Sequence, residues 1–457
     1  MVKDGPKIHI VGGGLAGVEA AWQVLKAGFS VVLHEMRPEK TTEAHVTSHL
    51  GELVCSNSLK SEALVSAPGQ LKFEMEGLDS LVVKAAREAK VPAGKALAVD
   101  REVFSAKLED LLFRYPQFEI KREEITEIPS REDLSSKNEY WIVATGPLTS
   151  AGLIPYLSTL CGDAQGLYFY DAISPIIASE SIDFGHSFKA DRYSKESSED
   201  GDYLNMPLSR EEYDRFIDAV IAAPKTPLRD FEKPVFFESC LPIEVMIERG
   251  RDTLRFGPMK PVGLVDPKTG REPYANIQLR LENNAETMYN IVGFQTKMTV
   301  TAQREVFRLI PGLENAVFLR FGSIHRNTFF DSPNVLNANL TFRRHPYVLL
   351  AGQITGVEGY MESAAIGLVA GRFAVDLIKN QQRFLPPTGT MIGALYRHVI
   401  QGSRLGASSF HPIFQPMNAN GGLLPPEPKT RGVARAKRKE LQYERARQAF
   451  QLWLSSL

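Results

Sequence analysis

Cysteine is scarce in this chain. Only three occur in 457 residues, Cys55, Cys161 and Cys240. They lie far apart and form no C-x-x-C pair. This excludes a disulfide scaffold and a zinc ribbon, predicts no metal site, and fits a reducing cytoplasm. An excess of charge is missing as well. The 53 basic and 54 acidic residues leave a formal net charge of −1, so net charge alone predicts neither a nucleic-acid nor a membrane partner. No apolar segment approaches the ~20 residues that span a bilayer. No signal peptide is expected, because the first apolar run belongs to a strand of the fold. Internal repeats and long low-complexity tracts are absent. With 43% hydrophobic and 23% charged residues, the chain has the composition of an ordinary globular protein, long enough for two or three domains.

The most informative segment present is residues 8–35, IHIVGGGLAGVEAAWQVLKAGFSVVLHE. An apolar run ends at Gly12, and Gly14 and Gly17 complete G-x-G-x-x-G. Ala21 follows, Gly28 ends the helical pattern, and a second strand ends at the acid Glu35. This is a strand–turn–helix–strand unit for a dinucleotide. Gly12 allows the tight turn, Gly14 admits a pyrophosphate, Gly17 lets helix and strand pack, and the helix amides face the phosphates. Glu35 is placed for a ribose hydroxyl pair. A short buried strand is expected at residues 140–146 (YWIVATG). Another, residues 347–352 (YVLLAG), runs into a glycine-containing loop at 353–359 and a small-residue helix at 363–379. The candidate cofactor contacts are Gly12, Gly13, Gly14, Leu15, Ala16 and Gly17, Glu35 with Arg37, and Gly352, Gln353 and Gly356.

These late contacts favour a long flavin cofactor, FAD, over a nicotinamide. There is no second G-x-G-x-x-G, so the disulfide-reductase type with two nucleotide domains is disfavoured. The fold class expected is α/β, a Rossmann-like FAD-binding domain of glutathione-reductase type split by an inserted α+β domain. Residues 1–175 and 331–457 form the two parts of the FAD-binding domain, and 176–330 the insertion. Helices are expected at 70–90 and 103–113. In the insertion, strand-like pieces are expected at 234–238, 253–257, 277–281 and 290–294.

The C-terminal segment 429–447 carries eight basic and two acidic residues. Arg431, Arg435, Arg438 and Arg445 fall near one face of a helix. Ala446, Phe450, Trp453 and Leu457 make an apolar stripe beyond them. A docked terminal helix with a solvated basic side and a phosphate-binding surface for nucleic acid both fit this pattern.

Cys161 (TLCGDAQG) reads as a small buried hydrophobe. Cys55 (LVCSNSLKSE) and Cys240 (FFESCLPIEVMIERG) sit in polar, loop-like neighbourhoods with cations nearby in sequence, the setting in which a thiolate forms. The segments RFGPMKPVG, GFQTK, IHRNT and FQPMNAN mix Gly or Pro with hydrogen-bonding side chains. They suit either ordinary loop capping or the wall of a pocket for a planar polar ligand.

Taken with GGGLAGVEAAWQ, AVDRE and LLAGQITGVEGYMES, these segments resemble one family, the folate- and FAD-dependent tRNA (uracil-5-)-methyltransferases. The resemblance runs from about residue 8 to residue 427. The large flavoproteins that modify wobble uridines share the FAD motifs but are longer and lack FGPMKPVGL. One departure is Met206 in DYLNMP, where many members of the family have cysteine. The resemblance implies transfer of a one-carbon unit from 5,10-methylenetetrahydrofolate to carbon 5 of a uridine in the T-loop of tRNA. Reduced FAD, charged by NADPH or NADH, would act as reductant and methylene relay. Carbon 5 of uracil is a poor nucleophile, and a thiolate adding to carbon 6 activates it.

By motif, Cys240 is assigned as that nucleophile and Cys55 to the flavin side, although the residues alone allow the reverse. Arg255, Lys260 and His325 are candidates for folate or RNA contacts. The partners implied are tRNA and folate, with no membrane. Three other readings stay open on the residues: a flavin-dependent NAD(P)H oxidoreductase acting on a small molecule, a non-catalytic RNA-binding flavoprotein, and a ribosomal RNA target. The residues set no oligomeric state.

Overall fold

The computed structural model describes residues 6–42, 44–162, 167–172, 174–192, 201–226, 241–402, 414–426 and 434–457, with the backbone alone at 167–172, 324–326 and 435. Two six-stranded sheets organise it. The first has the lateral order Thr341–Phe342, His345–Leu350, Tyr140–Val143, Lys7–Val11, Ser30–Glu35, Phe118–Arg122. All pairings are parallel except the short antiparallel edge hairpin. Ile8, Ile10, Val31, Leu33 and Ile142 are fully buried along it, as strands covered on both faces require.

The helix Leu15–Lys26 follows the first strand and packs against the long helix Tyr360–Ile378. Small residues set that crossing. A Cβ added at Gly367 would lie 2.3 Å from the Ala16 carbonyl oxygen. This close approach brings the loop ahead of the long helix back over the glycine-rich turn.

The second sheet is antiparallel throughout, in the order Phe188–Lys189, Tyr203–Leu208, Ala275–Leu281, Met288–Ile291, Ile176–Ala178, Phe318–Arg320. Its own core contains Met206, Tyr213, Phe216, Ile277, Phe294 and Phe307, so Met206 is a packing residue here. An antiparallel ribbon, Leu167–Ala172 with Ile324–Phe329, lies where the chain enters and leaves this part. A small sheet of Ser58–Ser61, Ala96–Val99 and Lys90–Val91 flanks the first body.

Several local expectations change. Residues 70–90 form two helices, Ala67–Gly77 and Leu81–Glu88. Asp79 takes a positive φ between them, and the Ser80 side chain caps the second. The strand expected at 253–257 is a 3-10 helix, Thr253–Phe256. Local bonds from Thr253 N to Gly250 O and from Arg255 N to Asp252 O capture the backbone that a strand would have paired outward. Residues 234–238 lie outside the described residues. The C-terminal helix runs Arg435–Leu454. Ala446, Phe450 and Trp453 are buried as the stripe predicts, but Leu457 falls beyond the helix end and is exposed. Among the described residues no helix is long and apolar enough to cross a membrane.

Candidate active site

A cleft opens at the C-terminal ends of the parallel strands, where open α/β sheets place their ligands. Gly12 turns the chain there with φ +104°, and a Cβ on it would sit 2.6 Å from the Ala144 carbonyl oxygen. Gly13, Gly14, Leu15 and Ala16 line the cleft at the start of the first helix. A Cβ at Gly14 would meet nothing within 4 Å, so the bare backbone is open to a ligand. Gly17 acts differently. Its added Cβ would lie 1.9 Å from Gly12 O, so it permits helix–strand contact and does not line the cleft.

Glu35 and Arg37 form the far wall. The Gly13 amide donates to Glu35 Oε2 at 2.7 Å, and Arg37 donates through N and Nε to Oε1 at 3.0 and 2.8 Å. Burial works against the Glu35 charge, but the Arg37 bonds and charge outweigh it and hold the carboxyl below its ordinary range. Arg37 also pairs with Glu52 at 3.0 Å. His45 lines the same wall. Burial, then the charge of Arg37, lowers it to about 4, so its ring is neutral at neutral pH. Thr145, Ser150 and Gln353 line the opposite side. Gly352 and Gly356 shape the turn behind Gln353, both at positive φ, with Ala16 and Phe414 directly against them.

A glycine-lined turn at a helix N-terminus, followed by a buried acid at the end of the next strand, fits a dinucleotide such as FAD.

Cys55 lies in the loop ahead of Ser58–Ser61, half-buried. Its amide donates to the Tyr360 hydroxyl at 2.6 Å, and the Ser56 amide donates to the same oxygen at 3.2 Å. Tyr360 opens the long helix and lines the cofactor cleft, so the Cys55 loop is fastened to the rim of that cleft. Burial, then the nearby Cys55, raises the Tyr360 pKa and keeps the hydroxyl neutral. Arg101 donates to the Leu53 carbonyl, and to Cys55 O at 3.4 Å. Its Nε pairs with Glu282 at 2.7 Å. Burial opposes the Arg101 charge, and Glu282 more than restores it.

The other expected residues are placed elsewhere. Arg255 lies on the Tyr274 ring at 3.7 Å and donates to Tyr274 O at 2.9 Å. Lys260 follows in the same segment, its carbonyl accepting from Arg192. Neither lines the cofactor cleft. The backbone of His325 pairs with Asp171 in the ribbon. Cys240 lies outside the described residues. Cys161 is buried, and burial pushes its thiol up to about 12, which makes it inert.

Reading by motif passes over Tyr360, Arg101 and Glu282. AVDRE and GVEGYMES contain two of them, but nothing local tells that they meet Cys55.

The family model described as "Glucose inhibited division protein A" matches residues 7–382. A protein of Geobacter sulfurreducens named "Methylenetetrahydrofolate--tRNA-(uracil-5-)-methyltransferase TrmFO" is 52% identical over 419 residues, covering 92% of each chain. Proteins of the same name from Moorella thermoacetica and Geotalea uraniireducens are 50% and 49% identical, over 92% and 100% of this chain and of their own length. In fold, the chain is similar to Aquifex aeolicus GidA, with a TM-score of 0.67 at 18% identity over 99% of this chain and 74% of that one. That likeness concerns fold alone. A family match across most of the chain and half-identical relatives over nearly its full length place this chain in the glucose inhibited division protein A family, among the members named methylenetetrahydrofolate–tRNA-(uracil-5-)-methyltransferases.

Proposed function

We propose that this chain transfers the one-carbon unit of 5,10-methylenetetrahydrofolate to carbon 5 of a uridine in the T-loop of tRNA, forming 5-methyluridine. The observation that carries the reading is identity of about half to enzymes of that name over nearly the whole chain. The cleft supports it. Gly12, Gly13, Gly14, Leu15, Ala16, Glu35, Arg37 and Gln353 line a space suited to FAD. When bound, the flavin, reduced by NADPH or NADH, supplies the electrons that turn a methylene into a methyl group.

The chain's own groups do the rest. The Cys240 thiolate adds to carbon 6 of the uracil, moving the electron pair onto the carbonyl oxygen and making carbon 5 nucleophilic. Carbon 5 forms a bond to the methylene carbon and gives up its proton; the methylene's bond to its carrier nitrogen breaks with the electron pair leaving on that nitrogen, and the exocyclic methylene takes up the hydride equivalent that a reduced flavin would supply as the Cys240 thiolate leaves carbon 6. Cys55, fixed at the cleft rim by Tyr360, serves the flavin side. The uracil oxygen that gathers charge needs a donor or cation.

Purified yellow protein, labelled methylenetetrahydrofolate, NADPH and unmodified tRNA provide the test, with the RNA digested and examined for 5-methyluridine. Labelled 5-methyluridine that depends on folate is expected. Label in ribosomal RNA and not in tRNA would move the target. NAD(P)H turnover with a small acceptor and no RNA product would replace the reading with an oxidoreductase.

A further inference from the structure

Phe256 ends the 3-10 helix Thr253–Phe256 and is 83% exposed. Among the described residues no other large hydrophobic side chain is so bare. The turn that carries it is anchored on both sides. Leu254 and Met259 are fully buried. The Met259 amide donates to Leu254 O at 2.8 Å, and its carbonyl accepts from Asn276 N at 3.1 Å. The Tyr213 hydroxyl donates to Arg251 O at 2.6 Å, and the Arg255 guanidinium lies flat against Tyr274. A single exposed apolar side chain is ordinary on a protein surface. A phenyl held out by a turn whose other residues are fixed is a presented group.

Two connections place this ring near the cysteines. The bond from Asn276 holds the turn at one end of the strand Ala275–Leu281. Near the other end, Arg280 donates to Ser56 Oγ and Asn57 Oδ1, beside Cys55. Four residues of strand span about 13 Å. In the other direction, the helix Ile243–Glu248 begins three residues after Cys240 in the chain. Its Met246 Sδ lies 3.9 Å from where a Cβ on Gly257 would stand. The charge of the segment leans positive. Residues 248–260 hold four basic residues, Arg249, Arg251, Arg255 and Lys260, against the acids Glu248 and Asp252. Arg251 is turned to Asp218 and Asp214, and Arg249 is exposed.

We propose that Phe256 stacks on an unpaired base of the RNA loop that carries the target uridine. This inference rests on the methyl-transfer reading above and adds a contact surface to it. Proteins read single-stranded RNA loops by stacking bases on aromatic rings and guanidinium planes, and Phe256 beside the Arg255–Tyr274 pair offers both. A uridine drawn out of a folded loop for chemistry leaves its neighbours unstacked. A phenyl on a fixed mount replaces a lost stacking partner without itself having to be ordered, and the basic residues around it suit the phosphates on either side.

The test measures binding of unmodified tRNA to the flavin-loaded enzyme over a range of salt, for wild type, Phe256→Ala, Phe256→Leu and Phe256→Trp. Formation of 5-methyluridine, flavin content and melting temperature are followed alongside. About a tenfold loss of tRNA affinity is expected for alanine and leucine, the scale of one base–aromatic stack, with tryptophan close to wild type. Leucine keeps apolar bulk without a ring, and it serves if the alanine variant does not fold. A stack neutralises no phosphate, so the log–log slope of affinity against salt should keep its wild-type value. The ring lies outside the core, so flavin content and melting temperature should hold as well. Wild-type tRNA affinity in the folded alanine and leucine variants would overturn the inference and leave the proposed function standing. A loss accompanied by a shallower salt slope would overturn it in favour of disturbed phosphate contacts. A wild-type holoenzyme that neither binds tRNA nor forms 5-methyluridine would overturn the function and this inference together.

Discussion

Two glycines three positions apart, Gly14 at the N-cap of the first helix and Gly17 inside it, do different work, and the difference can be measured. Gly14 faces open space and Gly17 faces the Gly12 carbonyl. Gly14→Ala is expected to fold with near wild-type stability and to purify with little FAD, because the added methyl occupies ground a pyrophosphate needs. Gly17→Ala is expected to lose stability by about 1–3 kcal/mol through overpacking, with flavin loss following from the distorted turn. Thermal unfolding of the flavin-stripped proteins, set beside flavin absorbance as purified, separates the two. Equal melting temperatures would contradict the packing role given to Gly17. The same logic applies to the thiols. Cys240→Ala is expected to keep its flavin and lose methyl transfer, and near wild-type formation of 5-methyluridine by that variant would remove Cys240 as the uracil nucleophile.

At the scale of elements, a buried acid joins two helices. Glu74, on Ala67–Gly77, accepts from the Met391 and Ile392 amides at 2.8 Å and so caps the helix Met391–Gln401. Burial pushes its pKa up to about 7, against the opposing pull of Gln70 and these amides. The folded carboxyl thus holds its proton where the unfolded one has lost it. The sign follows from proton counting. Stability contributed at this site is greatest below pH ~4.5, falls as pH rises toward about 7, and is level above that. Urea unfolding between pH 4.5 and 8 should show this decline in wild type and a shallower one in Glu74→Gln. Parallel curves would mean that Glu74 is ionised in the fold.

The C-terminal helix divides its basic residues between two tasks. Arg445 donates to the Pro425 and Pro426 carbonyls and Arg447 to Leu64 O, so these two help to dock the helix. Lys437 and Lys439 are exposed. Replacing both by Glu is expected to weaken tRNA binding several-fold and to make its salt dependence shallower, by about 0.9 in the log–log slope for each phosphate no longer neutralised. Affinity and slope both unchanged would leave docking as the helix's only role.

Elements of this kind are legible in the sequence where their signals are local. In residues 8–35 the glycine spacing, the helical period and the terminal acid coincide within one unit, and the parallel strands follow. The helix Arg435–Leu454 shows itself by its apolar stripe, although Leu457 lies past its end. Residues 253–257 mislead because Leu254 and Phe256 alternate like a strand, while local turn bonds and the Arg255–Tyr274 contact set the backbone. The candidate site beyond the cofactor loop is hidden for a different reason. Tyr360 meets Cys55 across 305 positions, and Arg101 meets Glu282 across 181. No periodicity or motif spans such separations, and only the packing of the inserted sheet brings these groups together.

That packing makes the whole molecule one device around the Cys55 loop. Arg280, on the strand Ala275–Leu281, donates to Asn57 Oδ1 at 3.0 Å and Ser56 Oγ at 2.9 Å. Asn57 in turn donates to Val99 O and Leu281 O at 3.1 and 2.9 Å. Both Arg280 and Asn57 are buried. The loop is therefore tied to the inserted body, to the small flanking sheet and, through Tyr360, to the cofactor cleft. A shift of the inserted body would reach the Cys55 loop through these bonds. Arg280→Met keeps most of the volume and removes these donors. It should cost about 1–3 kcal/mol in stability, because Asn57 Oδ1 is left buried without a partner. On the proposed assignment of Cys55 to the flavin side, it should also lower kcat for methyl transfer by tenfold or more, with little change in flavin content or in tRNA affinity. Steady-state kinetics well below the melting temperature distinguish this from a structural role alone. A lower melting temperature with unaltered kcat would mean that the bonds hold the two bodies together and have no part in positioning the thiol.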